Sequence, residues 1–122
     1  MKPGKALTNR FDRLWRQRVL EAANYMCEVN DKCSGKLCCH HVAGRKNFSA
    51  RWYIPNGVVL CDKHHTFDSK FSAHQNPMDF AIWILDKRGK DWWDDVMERK
   101  NQIWRKWRTH LEEIEEHLKG GR

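Results

Sequence analysis

A chain of 122 residues amounts to about one domain, enough for a modest core and small enough to gain from a metal staple. Lys and Arg outnumber Asp and Glu by 23 to 16, a formal charge of +7 that favours a polyanionic partner, although a solvated basic face has the same composition. No apolar run approaches membrane-spanning length and the opening M-K-P-G-K-A-L-T-N-R lacks the apolar core of a signal peptide, so a membrane protein is excluded and a cytoplasmic one expected.

The first eight residues read as a loose basic arm. Over residues 9–26, Phe11, Leu14, Trp15, Val19, Ala22 and Tyr25 or Met26 recur at three and four residues, which predicts an amphipathic helix with Thr8 or Asn9 as its N-cap. Its other face carries Arg10, Arg13, Arg16 and Arg18. Residues 1–18 hold six basic side chains against the single Asp12. Arg10 and Arg13 are therefore candidates for phosphate contact, beside the plainer reading of a solvated helix face.

C-E-V-N-D-K-C-S-G-K-L-C-C, residues 27–39, comes next. Five cysteines, an odd number lying beside histidines, point in a reducing compartment to zinc or buried thiols before disulfides. Asn30, Asp31, Ser34 and Gly35 are turn formers, so Cys27 and Cys33 are expected to face each other across a tight loop. Cys61-Asp-Lys-His64 supplies two further ligands at C-x2-H spacing, completing a closed Cys3His site of the structural zinc kind. The competing reading makes Cys61 a small buried residue and leaves Cys27 and Cys33 as free thiols. Cys38 and Cys39 compete for the same ion, and the preferred reading keeps both out of it.

Lys36 to Val42 predicts the first strand of a hairpin, with successive side chains on opposite faces. A long loop then closes at Pro55-Asn56-Gly57, a turn signal, before a second strand at Val58–Cys61. A helix is expected from about Asp62 to Phe71, with Asp62 as N-cap and His64 and His65 in its first turn. Neighbouring helical positions lie about 100° apart, so one imidazole can close the zinc site while the other turns toward His40 and His41.

Residues 73–122 read as a C-terminal helical extension. Asn76-Pro77 starts a helix over roughly 78–87, which Arg88-Gly89-Lys90 ends. A long final helix is expected over 91–118, with Trp93, Val96 or Met97, Lys100, Ile103 or Trp104, Trp107, Leu111, Ile114 and Leu118 on one stripe and Gly120-Gly121 as its stop. The first half of that stripe is expected to pack on the N-terminal helix; the second half does the same or forms a homodimer with another copy. The tryptophans read as core and not as base-stacking platforms, and His74, His110 and His117 as ordinary surface or core residues.

The segment from His40-His41-Val-Ala-Gly-Arg through Asn56 to Cys61-Asp-Lys-His64-His65 resembles the HNH nuclease motif, with His41, Asn56 and His65 as its three named residues, over residues 27–72. The resemblance implies an α+β, mostly helical domain around a zinc-stapled ββα-metal core, and metal-dependent hydrolysis of DNA phosphodiester bonds, with RNA left open. It makes His41 the general base, His40 and His65 ligands of the catalytic ion, and Asn56 the residue that ties loop to strand or touches the metal. Mg²⁺ or Mn²⁺ is expected there, with Ni²⁺, Co²⁺ or Zn²⁺ also suited to imidazole. Arg45 and Arg51 are assigned to phosphate. Bacteriocin nucleases of the family carry a further histidine four residues after the helical one; Ser69 stands there, so a third imidazole is not expected unless His74 comes in from the next loop. His64 also stands where many members have Cys. Small basic members of this kind resemble phage nucleases, acting in a host cytoplasm. The alternative from a different class is a zinc-stabilised nucleic-acid-binding module that does not catalyse.

Overall fold

The computed structural model describes residues 2–120, which form an α+β fold, mostly helical, around one antiparallel hairpin. Helix α1 (Lys5–Ala22) precedes strand β1 (Leu37–His41), the single-turn helix α2 (Phe48–Arg51), a 3-10 turn (Ile54–Asn56) and strand β2 (Gly57–Cys61). A wide π-helical turn (Lys63–Phe67) follows, then α3 (Pro77–Arg88), α4 (Lys90–Lys100) and α5 (Arg108–Gly120). No helix among the described residues is long and apolar enough to cross a membrane.

The hairpin pairs Leu37 with Cys61 and His41 with Gly57 at its two ends. Every residue of β2 is buried, and over Val58–Leu60 its side chains alternate between two apolar clusters, as a pleated strand requires. Val59 joins Phe11, Trp15, Val19 and Leu20 of α1 with Trp52, Trp107, Ile114 and Leu118. Val58 and Leu60 turn the other way, toward Cys27, Ala73, Phe80 and Ile84. Strand β1 is only half-buried, so its outer edge is left to form the wall of a groove.

Three expected boundaries move. Helix α1 starts at Lys5, after an extended Gly4, so Lys5–Thr8 belong to the helix and not to an arm, and neither Thr8 nor Asn9 caps it. It ends at Ala22, because Asn24 and Tyr25 take left-handed φ values of 54° and 57° and reverse the chain toward the cysteine loop. The expected helix over 62–71 is only the five-residue π turn, closed by the Asp68 N–H on the Lys63 carbonyl at 2.9 Å. Asp62 does not cap it; its carboxylate accepts the Lys36 N–H at 2.9 Å and the Cys38 thiol at 3.2 Å.

The long C-terminal helix is broken into α4 and α5, with residues 101–107 irregular. At about 1.5 Å per residue, an unbroken helix over 91–118 would run about 40 Å and carry its second half past so small a core. The break lets Trp107 pack edge-on against Trp52 and Phe48, at ring-centroid distances of 5.9 and 5.4 Å, and turns Ile114 and Leu118 back onto α1. The second half of the stripe is thus covered within the chain. Gly121, read above as part of the stop, lies outside the described residues, as does Met1 of the arm.

Gly57 lies opposite His41, and a β-carbon there would collide with both methyls of Val19 and come within 2.9 Å of Trp15 Cζ2. Gly57→Ala is therefore expected to destabilise by about 1–3 kcal/mol, the usual cost of overpacking, as a lower urea midpoint with an unchanged slope.

Candidate functional site

Two groups of ligand-type side chains draw on the hairpin and on the turn that follows it, one through Cys61 and His64 and the other through His40 and His65. In the first, Cys27, Cys33, Cys61 and His64 bring one ligand atom each to within 4.8 Å of one another. His64 Nδ1 lies 3.7, 3.8 and 3.1 Å from the sulfurs of Cys27, Cys33 and Cys61. Ligands at about 2.3 Å (sulfur) and about 2.0 Å (nitrogen) from one tetrahedral ion stand roughly 3.5 Å apart, so the frame fits zinc. Cys27, Cys61 and His64 are buried and Cys33 is exposed, so three ligands are walled in and one faces solvent.

The local causes are legible. Asn30 and Lys32 take φ values of 48° and 50° and Gly35 one of 86°, which curl the loop so that Cys33 returns toward Cys27. Burial raises the Cys61 pKa, but the backbone N–H groups of His64 and Ser34 on its sulfur outweigh this and hold the thiol below its ordinary value. Although Cys33 is exposed, partial desolvation of its sulfur, with its hydrogen bonds to the Cys27 and Cys61 thiols, pushes it up to about 11.

In the second group His40, His65 and His74 converge, again with ring nitrogens within 4.8 Å of one another. The His65 and His74 Nε2 atoms are 3.0 Å apart, close to the separation of adjacent nitrogen ligands at about 2.0–2.1 Å from one ion. His40 stands edge-on to both, at centroid distances of 5.2 Å, and against Phe80 at 5.1 Å. Burial, then the neighbouring imidazoles, lowers the His40 pKa to about 3; burial and His74 lower that of His65. Both are thus neutral near pH 7, the state in which an imidazole can bind a metal.

His74 corrects the expectation of an ordinary surface histidine. It enters because the Ala73 and His74 N–H groups bond the carbonyls of His64 and His65 at 2.9 and 3.0 Å, pinning the later loop residue by residue to the turn that carries both histidines. Spacing alone could not show this. His117 and His110 remain structural: His117 Nε2 accepts the Ile54 N–H at 3.0 Å, and His110 stacks on Trp104 at 4.1 Å.

His41 points elsewhere than His40, as the strand's alternation demands, yet both line one groove of about 860 Å³ with His65, His74, Asp12, Trp15, Arg16, Arg45 and Lys46. Its Nε2–H donates to the Arg51 carbonyl at 3.0 Å, so the lone pair resides on Nδ1. Burial is the main cause that lowers its pKa to about 4; the Arg45 and Arg51 charges add to this and the Arg51 carbonyl opposes it.

Asn56 is fully buried and spends its whole amide on the loop. Its Oδ1 accepts the Ala43 N–H at 2.6 Å, and Nδ2 donates to the carbonyls of Ala43 and Ala50 at 3.0 and 3.1 Å. It therefore fixes the backbone two residues beyond His41, the loop-tying role, and is not in either ligand group. Asn56→Ala would strand three buried backbone groups and is expected to cost about 3 kcal/mol or more, measurable by urea unfolding.

The cationic candidates divide. Arg51 is not available to a phosphate: its side chain is 11 % exposed and bonds both Asp12 oxygens at 3.1 and 2.8 Å. Trp52 Nε1–H adds a bond to the same carboxylate at 2.8 Å, fastening α2 to α1. Arg10 is ion-paired with Glu115. Arg45 remains 66 % exposed on the groove rim, 3.9 Å from Asp12, and Arg13 is exposed on α1. Arg16, from the basic face of α1, and Lys46, which the sequence does not mark, also line the groove. Neither Cys38 nor Cys39 joins a ligand group; both face the groove with burial as the main cause raising their thiols to about 11.

Comparison with protein-family models, with curated proteins and with solved structures finds no match.

Proposed function

We propose that this chain is a metal-dependent endonuclease of the HNH, or ββα-metal, kind, hydrolysing phosphodiester bonds in DNA. The observation that carries the reading is the convergence of His40, His65 and His74 in a groove that His41 also lines. A divalent ion held by the three imidazoles would supply positive charge to the phosphate and to the leaving oxygen. Three nitrogen donors suit Mn²⁺, Co²⁺, Ni²⁺ or Zn²⁺ as well as or better than Mg²⁺.

The protein's own part begins with His41. Its Nδ1 accepts a proton from water as the water oxygen bonds to phosphorus; the bond from phosphorus to the leaving oxygen breaks, and that oxygen takes up a proton from solvent. The Arg51 carbonyl holds the imidazole in the tautomer this needs, and Asn56 fixes the backbone beside both residues through Ala43 and Ala50.

Charge distribution supports a nucleic-acid partner. Residues 1–51 carry eleven Lys and Arg against four Asp and Glu, whereas residues 52–122 carry twelve of each, so the whole net charge belongs to the part that supplies most of the groove. Arg13, Arg16, Arg45 and Lys46 are the cations left for phosphate.

The test is nicking of supercoiled plasmid with each divalent ion in turn, beside EDTA and beside His40→Ala. Metal-dependent cleavage that EDTA abolishes and His40→Ala weakens at least about 10-fold is expected. If folded, zinc-loaded protein cleaves neither DNA nor RNA with any ion, the enzyme reading falls and a zinc-stabilised binding module replaces it.

A further inference from the structure

Trp15 lies outside the His-Asn-His segment, on α1, yet its ring is stacked on His41 with centroids 3.9 Å apart and planes 11° from parallel. The seat for that ring is Gly57, the residue paired with His41 across the hairpin, whose missing side chain leaves room for Trp15 and Val19. Trp15 is itself held: it is 3 % exposed, and its Nε1–H donates to the Tyr53 carbonyl at 2.9 Å. The imidazole is thus constrained in two independent ways. The Arg51 carbonyl holds one edge through Nε2–H, which is a single bond and permits the ring to swing about it. The indole face limits that swing, because tilting His41 toward it drives imidazole atoms into a ring that cannot retreat from the core.

We infer that Trp15 is a positioning residue for His41, its stacked face keeping the imidazole in the plane from which Nε2–H reaches the Arg51 carbonyl, the bond that sets the tautomer. The inference rests on the nuclease reading for its catalytic consequence but not for its geometry. The effect acts on the chemical step and leaves nucleic-acid binding, which the proposal assigns to the basic rim, untouched.

Two substitutions separate the face from the bulk. Trp15→Phe keeps a ring over His41 and loses the bond to Tyr53; Trp15→Leu keeps apolar filling and loses the face. Cleavage kinetics are measured on folded, metal-loaded protein, and the His41 tautomer is read from nitrogen-15 shifts of its ring. The expected result is a kcat about 10- to 100-fold lower in Trp15→Leu at a KM within about 2-fold, with Trp15→Phe within about 3-fold of the parent. The Nε2–H tautomer is expected in the parent and in Trp15→Phe and a mixture in Trp15→Leu. Equal losses in both variants, or a Trp15→Leu protein with parental kcat and tautomer, would overturn the inference. Should Trp15→Leu not fold, Trp15→Phe decides alone, since loss of its tautomer contradicts a role for the ring face. If the parent protein cleaves nothing, the nuclease reading fails and the nitrogen-15 comparison still judges the placement of His41.

Discussion

Cys61→Ser is expected to yield a chain that binds no zinc tightly and does not fold at 25 °C. Cys61 is buried at the end of β2, its sulfur 3.1 Å from His64 Nδ1, and it belongs to the strand on which both apolar clusters close. Structural zinc in a Cys/His frame contributes on the order of 10 kcal/mol, comparable with the whole stability of a domain this size. The loop from Cys27 to Lys36 is mostly exposed and takes left-handed φ values at Asn30 and Lys32; apart from the ligands it is tied near its two ends, by Glu28 to Val59 and Arg88 and by Ser34 and Lys36 to Lys63 and Asp62. Far-UV circular dichroism, metal content and zinc release by a thiol-blocking mercurial are the measurements. One zinc per parent chain and none in the variant is the expected outcome. A Cys61→Ser protein that melts like the parent would remove the metal from the account of stability.

The same frame sets a pH dependence whose sign is fixed. With Cys33 raised to about 11 it carries its proton at neutral pH, and that proton must leave when zinc binds. Zinc affinity therefore falls as pH falls, and the protein becomes easier to unfold in acid through loss of the ion. Protons released per zinc bound, measured in weakly buffered solution, report this directly.

The elements that local chemistry determines are the ones legible in the sequence. Turn formers around Cys33, the apolar run Val58–Cys61 and the C-x2-H spacing are each read within a few residues, and the hairpin and the Cys3His frame follow from them. What escaped depends on distant partners. His74 is brought to His65 by backbone bonds between two loops, a match that no side-chain pattern records. Arg51 reads as a phosphate ligand by charge, and only the fold reveals Asp12 beneath it. The break before α5 has no proline or glycine to announce it; it exists because Trp107 has a place among Trp52 and Phe48. Trp15 was legible as core, and it is core, but the ring it presses upon is set by the empty position at Gly57.

His41→Ala is expected to lower kcat for DNA cleavage by about 10²–10⁴-fold while leaving both metal groups intact. The nitrogen left free decides the role. Nε2–H is committed to the Arg51 carbonyl at 3.0 Å, so Nδ1 is the atom able to take a proton, and His41 belongs to neither ligand group. Its pKa of about 4 bears on both the protonation state and the rate. It keeps the imidazole unprotonated throughout the neutral range, so activity lost to its protonation appears only in acid, whereas a base this weak accepts a proton less readily than one near 7. Much of that cost is offset if negative charge from a bound phosphate raises the pKa on substrate binding, because depression here comes from burial and from the Arg45 and Arg51 cations. His41→Ala and His40→Ala must then differ in kind: the first loses rate with metal binding retained, the second loses metal first. Titration of Co²⁺ followed by its visible spectrum distinguishes them independently of cleavage. A His41→Ala enzyme retaining more than about a tenth of the parental rate would show that another group, or water alone, removes the proton.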